Sequence, residues 1–195
     1  MDRRHALKAL ATGAVGAAAA PGWVESLCAF AGRQAHSRAA HAAIAAQDWT
    51  PRVLTVRQDA TVAALCEAII PETDTPGARA ARVNRFVDGV LHEAPAVERE
   101  AFMRGLAWID ERSRARFGKD FVELTAGDQT ALLTPLADPA NRRDADTVGV
   151  DFFRALKSMT IDGYYTTEIG LHEELGDTGQ LFSAQFEGCN HPEHR

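Results

Sequence analysis

The sequence lacks the short motifs that mark common enzyme classes. It has no GxGxxG dinucleotide fingerprint, no GxxxxGK[ST] phosphate-binding loop and no GxSxG nucleophile turn. It also has no HExxH zinc motif, no CxxC pair and no CxxCH haem-attachment site. These absences leave the chain without a recognisable catalytic or cofactor site.

Long apolar runs and an excess of positive charge are missing too. Beyond the N-terminal segment no stretch of about 18 apolar residues occurs, so we expect no membrane span in the mature chain. The net charge is −6, and it becomes −8 once residues 1–20 are removed with their three positive charges and one negative charge. Such an acidic chain is a poor partner for nucleic acid, whose phosphates need lysine and arginine.

The alternation of apolar and polar residues that is typical of strands is also absent over any convincing length, whereas apolar residues recur at helical spacing. The sequence predicts helices over residues 59–70, 78–93, 96–117, from Thr125 onward, and 147–159. Their apolar stripes include Val62, Leu65, Cys66, Phe86, Val87, Val90, Phe102, Leu106, Ile109, Leu132, Leu133, Val150, Phe153 and Leu156. With 195 residues, 46% of them hydrophobic, we predict one all-α domain, an irregular bundle of about five helices with an extended C-terminal tail.

The N-terminus has the form of a targeting segment. Arg3, Arg4 and Lys8 make a basic stretch, and the uncharged, alanine-rich residues 9–20 follow it. This run is too short and too weakly apolar to cross a bilayer as a helix. The order of the arginine pair, the apolar residues and the lysine resembles a twin-arginine export signal, which predicts that the protein is exported to the periplasm.

The chain divides into four parts on these patterns. Two tripeptides, Ala18-Ala19-Ala20 and Ala29-Phe30-Ala31, fit the small-x-small rule for signal cleavage, so the end of the signal segment stays open. We assign residues 1–31 to this segment, 32–58 to a partly helical connector, 59–160 to the helical domain and 161–195 to the extended tail.

The tail contains apolar and aromatic side chains that complete no helical stripe, namely Tyr164, Tyr165, Leu181, Phe182 and Phe186. An extended apolar segment usually docks on another surface, where aromatic residues dominate the binding energy. We predict that these five residues dock on a partner. The alternative is a tail that wraps over its own bundle.

The three cysteines differ in setting. Cys66 lies on a predicted apolar stripe and should behave as a small hydrophobic residue, whereas Cys28 falls within the signal segment. If Cys28 is lost with the signal, Cys189 can pair with Cys66 or with a cysteine of another chain. A buried Cys66 favours the second pairing, so Cys189 is a candidate for an intersubunit disulfide.

Several stretches together resemble one protein family. The segment LCEAIIPETDTPGARAARVNRFVDGVL, with Ile69-Ile70-Pro71, Thr75-Pro76-Gly77-Ala78 and Phe86-Val87, is similar to the hallmark region of the gluconate 2-dehydrogenase subunit 3 family. Farther on, GYYTTEIGLHEELG resembles the tail motif of that family, and Gly188-Cys189 its late Gly-Cys pair. The twin-arginine start is usual there as well, so the resemblance covers residues 1–15 and 59–189.

The resemblance implies a non-catalytic small subunit of a membrane-associated dehydrogenase, with no cofactor in this chain. The large partner would be an FAD-containing flavoprotein of the glucose-methanol-choline (GMC) type that oxidises a sugar, a sugar acid or a glycoside. Electrons would pass to the haem of a cytochrome c. The small subunit would carry the export signal and support folding or export of the flavoprotein, because twin-arginine export handles proteins that are already folded around a cofactor.

Three other interpretations stay open. A free-standing periplasmic enzyme would use the tyrosines with carboxylates such as Glu67 and Glu72. A small metal-binding protein would use Cys189, His191 and His194. A purely structural helical domain would have no partner and no exposed apolar surface.

Overall fold

The computed structural model describes residues 21–138 and 146–178, and within those ranges the chain is helical without strands. The all-α prediction is confirmed. The α-helices are α1 (Gly22–Ala35), α2 (Arg38–Ala45), α3 (Val56–Ile69), α4 (Val83–Glu93), α5 (Ala96–Phe117), α6 (Ala126–Ala137) and α7 (Thr147–Tyr164). A 3₁₀-helix covers Phe121–Glu123, and a π-helix covers Ile169–Glu174.

Helix α7 is the centre of the bundle. Helices α1, α3, α4, α5 and α6 all pack against it. A helix that is surrounded in this way needs apolar or small residues on nearly every side. Its buried positions supply them and include Val150, Phe152, Phe153, Ala155, Leu156, Met159, Gly163 and Tyr164.

Local signals set several helix ends. The Thr55 side chain accepts from the backbone N–H of Gln58, and the Gln58 side chain accepts from the N–H of Thr55, so α3 begins with a capping box. Thr125 caps α6 in the predicted manner by accepting from the N–H of Asp128. Helix α5 ends at Gly118, whose φ of 73° is in the left-handed region that favours glycine.

Asp88 ties the segment before α3 to the body of the domain, a role that the sequence did not reveal. This aspartate lies on α4 and is only 1% exposed. Its carboxylate accepts hydrogen bonds from the backbone N–H groups of Arg52 (2.8 Å), Val53 (3.0 Å) and Leu54 (2.9 Å). Three donors of one turn therefore converge on a single buried carboxylate, which fixes where the chain enters α3.

The structure differs from the predicted boundaries in three places. Helix α1 begins within the predicted signal segment 1–31 and extends beyond it to Ala35, yet it packs on the core. Helix α4 begins at Val83 rather than near residue 78, because Arg82 has a φ of 56° and cannot continue a right-handed helix. The predicted tail begins too early at residue 161, since α7 extends to Tyr164 and a π-helix follows. With α1 and α2 counted, the predicted number of about five helices was low.

Within residues 21–138 and 146–178, none of the helices has both the length and the apolar composition that crossing a bilayer requires.

Candidate functional site

The loop between α3 and α4, residues 71–78, is closed at its base by one side chain. We call it the hallmark loop because it lies in the stretch that carries the family resemblance. The Glu67 carboxylate accepts from the backbone N–H groups of Glu72 (2.9 Å) and Arg79 (2.8 Å). The N–H of Ala78 also donates to the carbonyl of Ile70 at 2.9 Å. Glu67 therefore binds backbone amides across the loop, which is not the acid pair with Glu72 that a carboxylate-based enzyme would need.

Gly77 is required where the loop approaches this carboxylate. A Cβ atom at Gly77 would lie 2.5 and 2.7 Å from the two Glu67 carboxylate oxygens and 2.6 Å from the backbone nitrogen of Glu72. These distances are far below van der Waals contact, and one of the three atoms belongs to the backbone. Only glycine fits without a shift of the loop.

We expect Gly77→Ala to lower the free energy of unfolding by about 1–3 kcal/mol, because the added methyl group must push the loop away from Glu67. A matched control is Gly89→Ala, since Gly89 lies inside α4 with open space around its Cβ position. That change should stabilise the chain by roughly 0.5–1 kcal/mol through helix propensity. Urea unfolding followed by circular dichroism measures both variants. Equal effects of the two substitutions would contradict the close approach.

The second resembling stretch, residues 163–176 or the tail motif, touches the hallmark loop. The hydroxyl of Tyr164 donates to the carbonyl of Pro76 at 2.8 Å, and the side chains of Thr75 and Glu174 form a hydrogen bond. The two stretches that carry the resemblance are thus one structural unit.

The chain folds back on itself after α7. The Thr167 hydroxyl donates to the Tyr164 carbonyl at 2.6 Å and accepts from the N–H of Gly170 at 3.1 Å. A Cβ atom at Gly170 would collide with the Tyr164 carbonyl oxygen, so glycine is needed there as well. The π-helix Ile169–Glu174 follows this turn. Such segments are rare and often occur at functional sites.

An open groove of about 600 Å³ runs beside this turn. One wall is the end of α2 with His41 and Ile44, another is residues 80–82, and the third is residues 166–172. Its lining is mainly apolar, and Arg82, Glu168 and the imidazoles of His41 and His172 add polar groups. The described chain ends against the same wall, because the N–H of Asp177 donates to the carbonyl of Leu171 at 2.9 Å.

The predicted docking residues fall into different places. Tyr164 is 1% exposed and lies in the core. Its ring packs within its own bundle and is not a surface anchor for a partner. Tyr165 is half-buried and touches Tyr164 edge-on, with the ring centroids 5.2 Å apart. Leu181, Phe182, Phe186 and Cys189 lie outside the described residues, as do the signal residues Arg3, Arg4 and Lys8.

The two described cysteines have different surroundings. Cys66 is completely buried, its sulfur lies 3.3 Å from the Thr160 hydroxyl, and burial raises the pKa of its thiol to about 12. A thiol with so high a pKa forms little thiolate, the species that exchanges with disulfides. Cys28 is half-buried on α1 next to Ser158, and burial raises the pKa of its thiol as well.

Metal ligands do not cluster in the part of the chain that the structure describes. Over residues 21–138 and 146–178 no group of three or more His, Cys, Asp and Glu side chains is arranged to hold a metal ion. The predicted metal ligands Cys189, His191 and His194 lie outside these ranges.

Comparison with known proteins identifies one family. The family model described as gluconate 2-dehydrogenase subunit 3 matches residues 56–178, which is more than half of the chain. The match begins at the first residue of α3 and includes the hallmark loop, α7 and the tail motif. No curated protein and no solved structure matches the chain.

Proposed function

Because the chain belongs to the gluconate 2-dehydrogenase subunit 3 family, we propose that it is the non-catalytic small subunit of a periplasmic dehydrogenase complex. In this proposal the catalytic partner is a large, FAD-containing flavoprotein of the GMC type that oxidises a sugar, a sugar acid or a glycoside. A cytochrome c with haem accepts the electrons, and the complex is associated with the membrane through its other subunits.

The observation that carries this proposal is that the residues that define the resemblance have structural roles within the chain. Gly77 allows the hallmark loop to close on Glu67, Tyr164 holds that loop from α7, and Gly170 lets the chain turn back. Phe86 and Val87 are core residues of α4. These residues of the family pattern thus serve the packing of the chain itself, which supports a structural role beside a catalytic partner.

The partner would be held by the C-terminal segment of the chain. Tyr165 is half-exposed, and Leu181, Phe182 and Phe186 follow it in the sequence. Apolar and aromatic side chains of this kind supply most of the energy at protein interfaces. Cys189 would then form a disulfide with the catalytic subunit, and the burial of Cys66 supports this pairing over one between Cys189 and Cys66.

Export of the complex would depend on the twin arginines. We expect the double variant Arg3→Lys, Arg4→Lys to reduce periplasmic activity of the flavoprotein to the level of cells without this chain. The reason is that a twin-arginine signal on a chain without a cofactor motif best serves a folded cargo that has one. Sugar-dependent dye reduction in periplasmic and cytoplasmic fractions measures the outcome.

A matched control is the double variant Arg38→Lys, Arg79→Lys, which makes the same chemical change at two exposed positions of the folded part. It should leave export unchanged. Normal periplasmic activity in the Arg3, Arg4 variant would contradict co-export. Flavin absorbance, sugar oxidation or bound metal in the purified chain alone would instead favour a free-standing enzyme or a metal-binding protein.

A further inference from the structure

Helix α1 is an integral part of the hydrophobic core. Its buried residues Val24, Leu27, Ala31 and Ala35 recur at helical spacing on one face, and each is at most 5% exposed. This face packs chiefly on α7, the central helix, and also contacts α4 and α5. The opposite face, with Glu25, Ala29 and Arg33, is exposed. The pattern is that of an amphipathic helix seated on a core.

The position of α1 limits where the export segment can be cleaved without loss of core residues. We propose that signal cleavage occurs in the alanine run before Pro21, so that the whole of α1, including Cys28, stays in the mature protein. This inference rests on the proposed export of the chain. The other candidate site, Ala29-Phe30-Ala31, lies within α1, and cleavage there would remove the core residues Val24 and Leu27.

The start of the helix agrees with a boundary at Pro21. Pro21 has φ −53° and ψ 137°, an extended conformation outside the helix, and its carbonyl accepts from the N–H of Val24 at 2.9 Å. A proline directly before the first turn is suited to this place, because it has no N–H to satisfy. A cut on the N-terminal side of Pro21 keeps every core residue that the structure describes, including all of those on α1.

Cleavage before Cys28 in the manner of a lipoprotein is disfavoured for the same reason. The residues before Cys28 include Val24 and Leu27, which are 1% and 0% exposed. Cys28 itself is half-buried against α7, where it contacts Ser158. A retained Cys28 leaves the mature chain with three cysteines, so Cys189 has a second candidate partner within the chain besides Cys66.

The mature N-terminus of the full chain, exported together with its partner and purified through a C-terminal tag, tests the proposal. Intact mass and N-terminal peptide mapping should place the first residue between Ala18 and Pro21. A first residue at Gly32, a lipid-modified Cys28 or an uncleaved Met1 would each overturn it. The chain is taken from the periplasmic fraction only, so failed export, which leaves no chain there, is distinguishable from cleavage at a different site.

Two substitutions in the same full chain test whether α1 belongs to the mature fold. Leu27→Asp places a charge on the buried face and should lower the melting temperature of the mature protein by at least about 10 °C, or prevent its accumulation. Ala29→Asp makes a comparable change on the exposed face and should melt and accumulate like the parent. Indistinguishable behaviour of the two variants would overturn the proposal, since α1 would then contribute nothing to the mature core.

Discussion

Replacing Asp88 with alanine is expected to lower the free energy of unfolding by roughly 3–5 kcal/mol. The substitution leaves the backbone N–H groups of Arg52, Val53 and Leu54 without their common acceptor. Each bond to a charged acceptor contributes more than a neutral one, and an unsatisfied buried donor costs further free energy. Domains of this size are stable by only about 5–15 kcal/mol, so the variant should lie close to the threshold of folding.

Two further variants show whether the loss comes from the buried, hydrogen-bonded carboxylate of Asp88 or from the removal of any aspartate. Asp88→Asn keeps the shape and one acceptor oxygen but removes the charge, so its loss should be intermediate. Asp48→Ala removes an exposed carboxylate from the same region of the chain and should change stability by no more than about 0.5 kcal/mol. Urea unfolding curves measure all three. If Asp88→Ala unfolded at the same urea concentration as Asp48→Ala, the claim that Asp88 stabilises the fold by binding residues 52–54 would be wrong.

The elements predicted well are those whose signals are local. The range predicted for α5, residues 96–117, matches the helix Ala96–Phe117. Its apolar stripe lies within the segment itself, and Gly118, which ends the helix, follows directly. The start of α6 was predicted from Thr125 for the same reason, since a cap and the amide that it binds are close in sequence. Signals of this kind do not require knowledge of what the helix packs against.

Helix α1 was missed, and α2 was expected only within a partly helical connector over residues 32–58, because their burial depends on distant residues. Helix α2 is short and rich in alanine, and α1 begins directly after the alanine run of residues 17–20. An alanine-containing segment after a basic N-terminus also has the composition of an export signal. What places α1 in the core is α7, which lies more than a hundred residues later in the chain.

The resemblance identified the two stretches that form the candidate site, but the sequence did not reveal how they contact each other. The sequence did not reveal the role of Glu67, because a carboxylate that binds backbone amides has no spacing rule. The contact between Tyr164 and Pro76 joins positions 88 residues apart, which no local pattern reveals. Gly163 allows α7 to approach Phe86 and Val83 closely, and this contact too has no local pattern.

Shortening the chain from its C-terminus should separate folding from partner binding. A chain that ends at Thr178 keeps α7, the π-helix and the contacts of the tail motif with the hallmark loop. It lacks Leu181, Phe182, Phe186 and Cys189, which we propose to bind the flavoprotein. We expect this chain to melt like the parent and to lose co-purification with the flavoprotein. A folded chain that still co-purifies would show that docking uses another surface.

A chain that ends at Gly163 should lose both properties. It lacks the buried ring of Tyr164, and removal of a large aromatic side chain from a core costs about 3–5 kcal/mol. It also lacks Thr167 and Gly170, which turn the chain back over the end of α7. The point variant Tyr164→Phe in the full chain is the matched control, because it keeps the ring and removes only the hydroxyl that binds the Pro76 carbonyl. Its expected loss is about 1 kcal/mol, with co-purification retained. If the chain ending at Gly163 melted like the chain ending at Thr178, residues 164–178 would be an appendage of the bundle, and the assignment of Tyr164 to its core would fail.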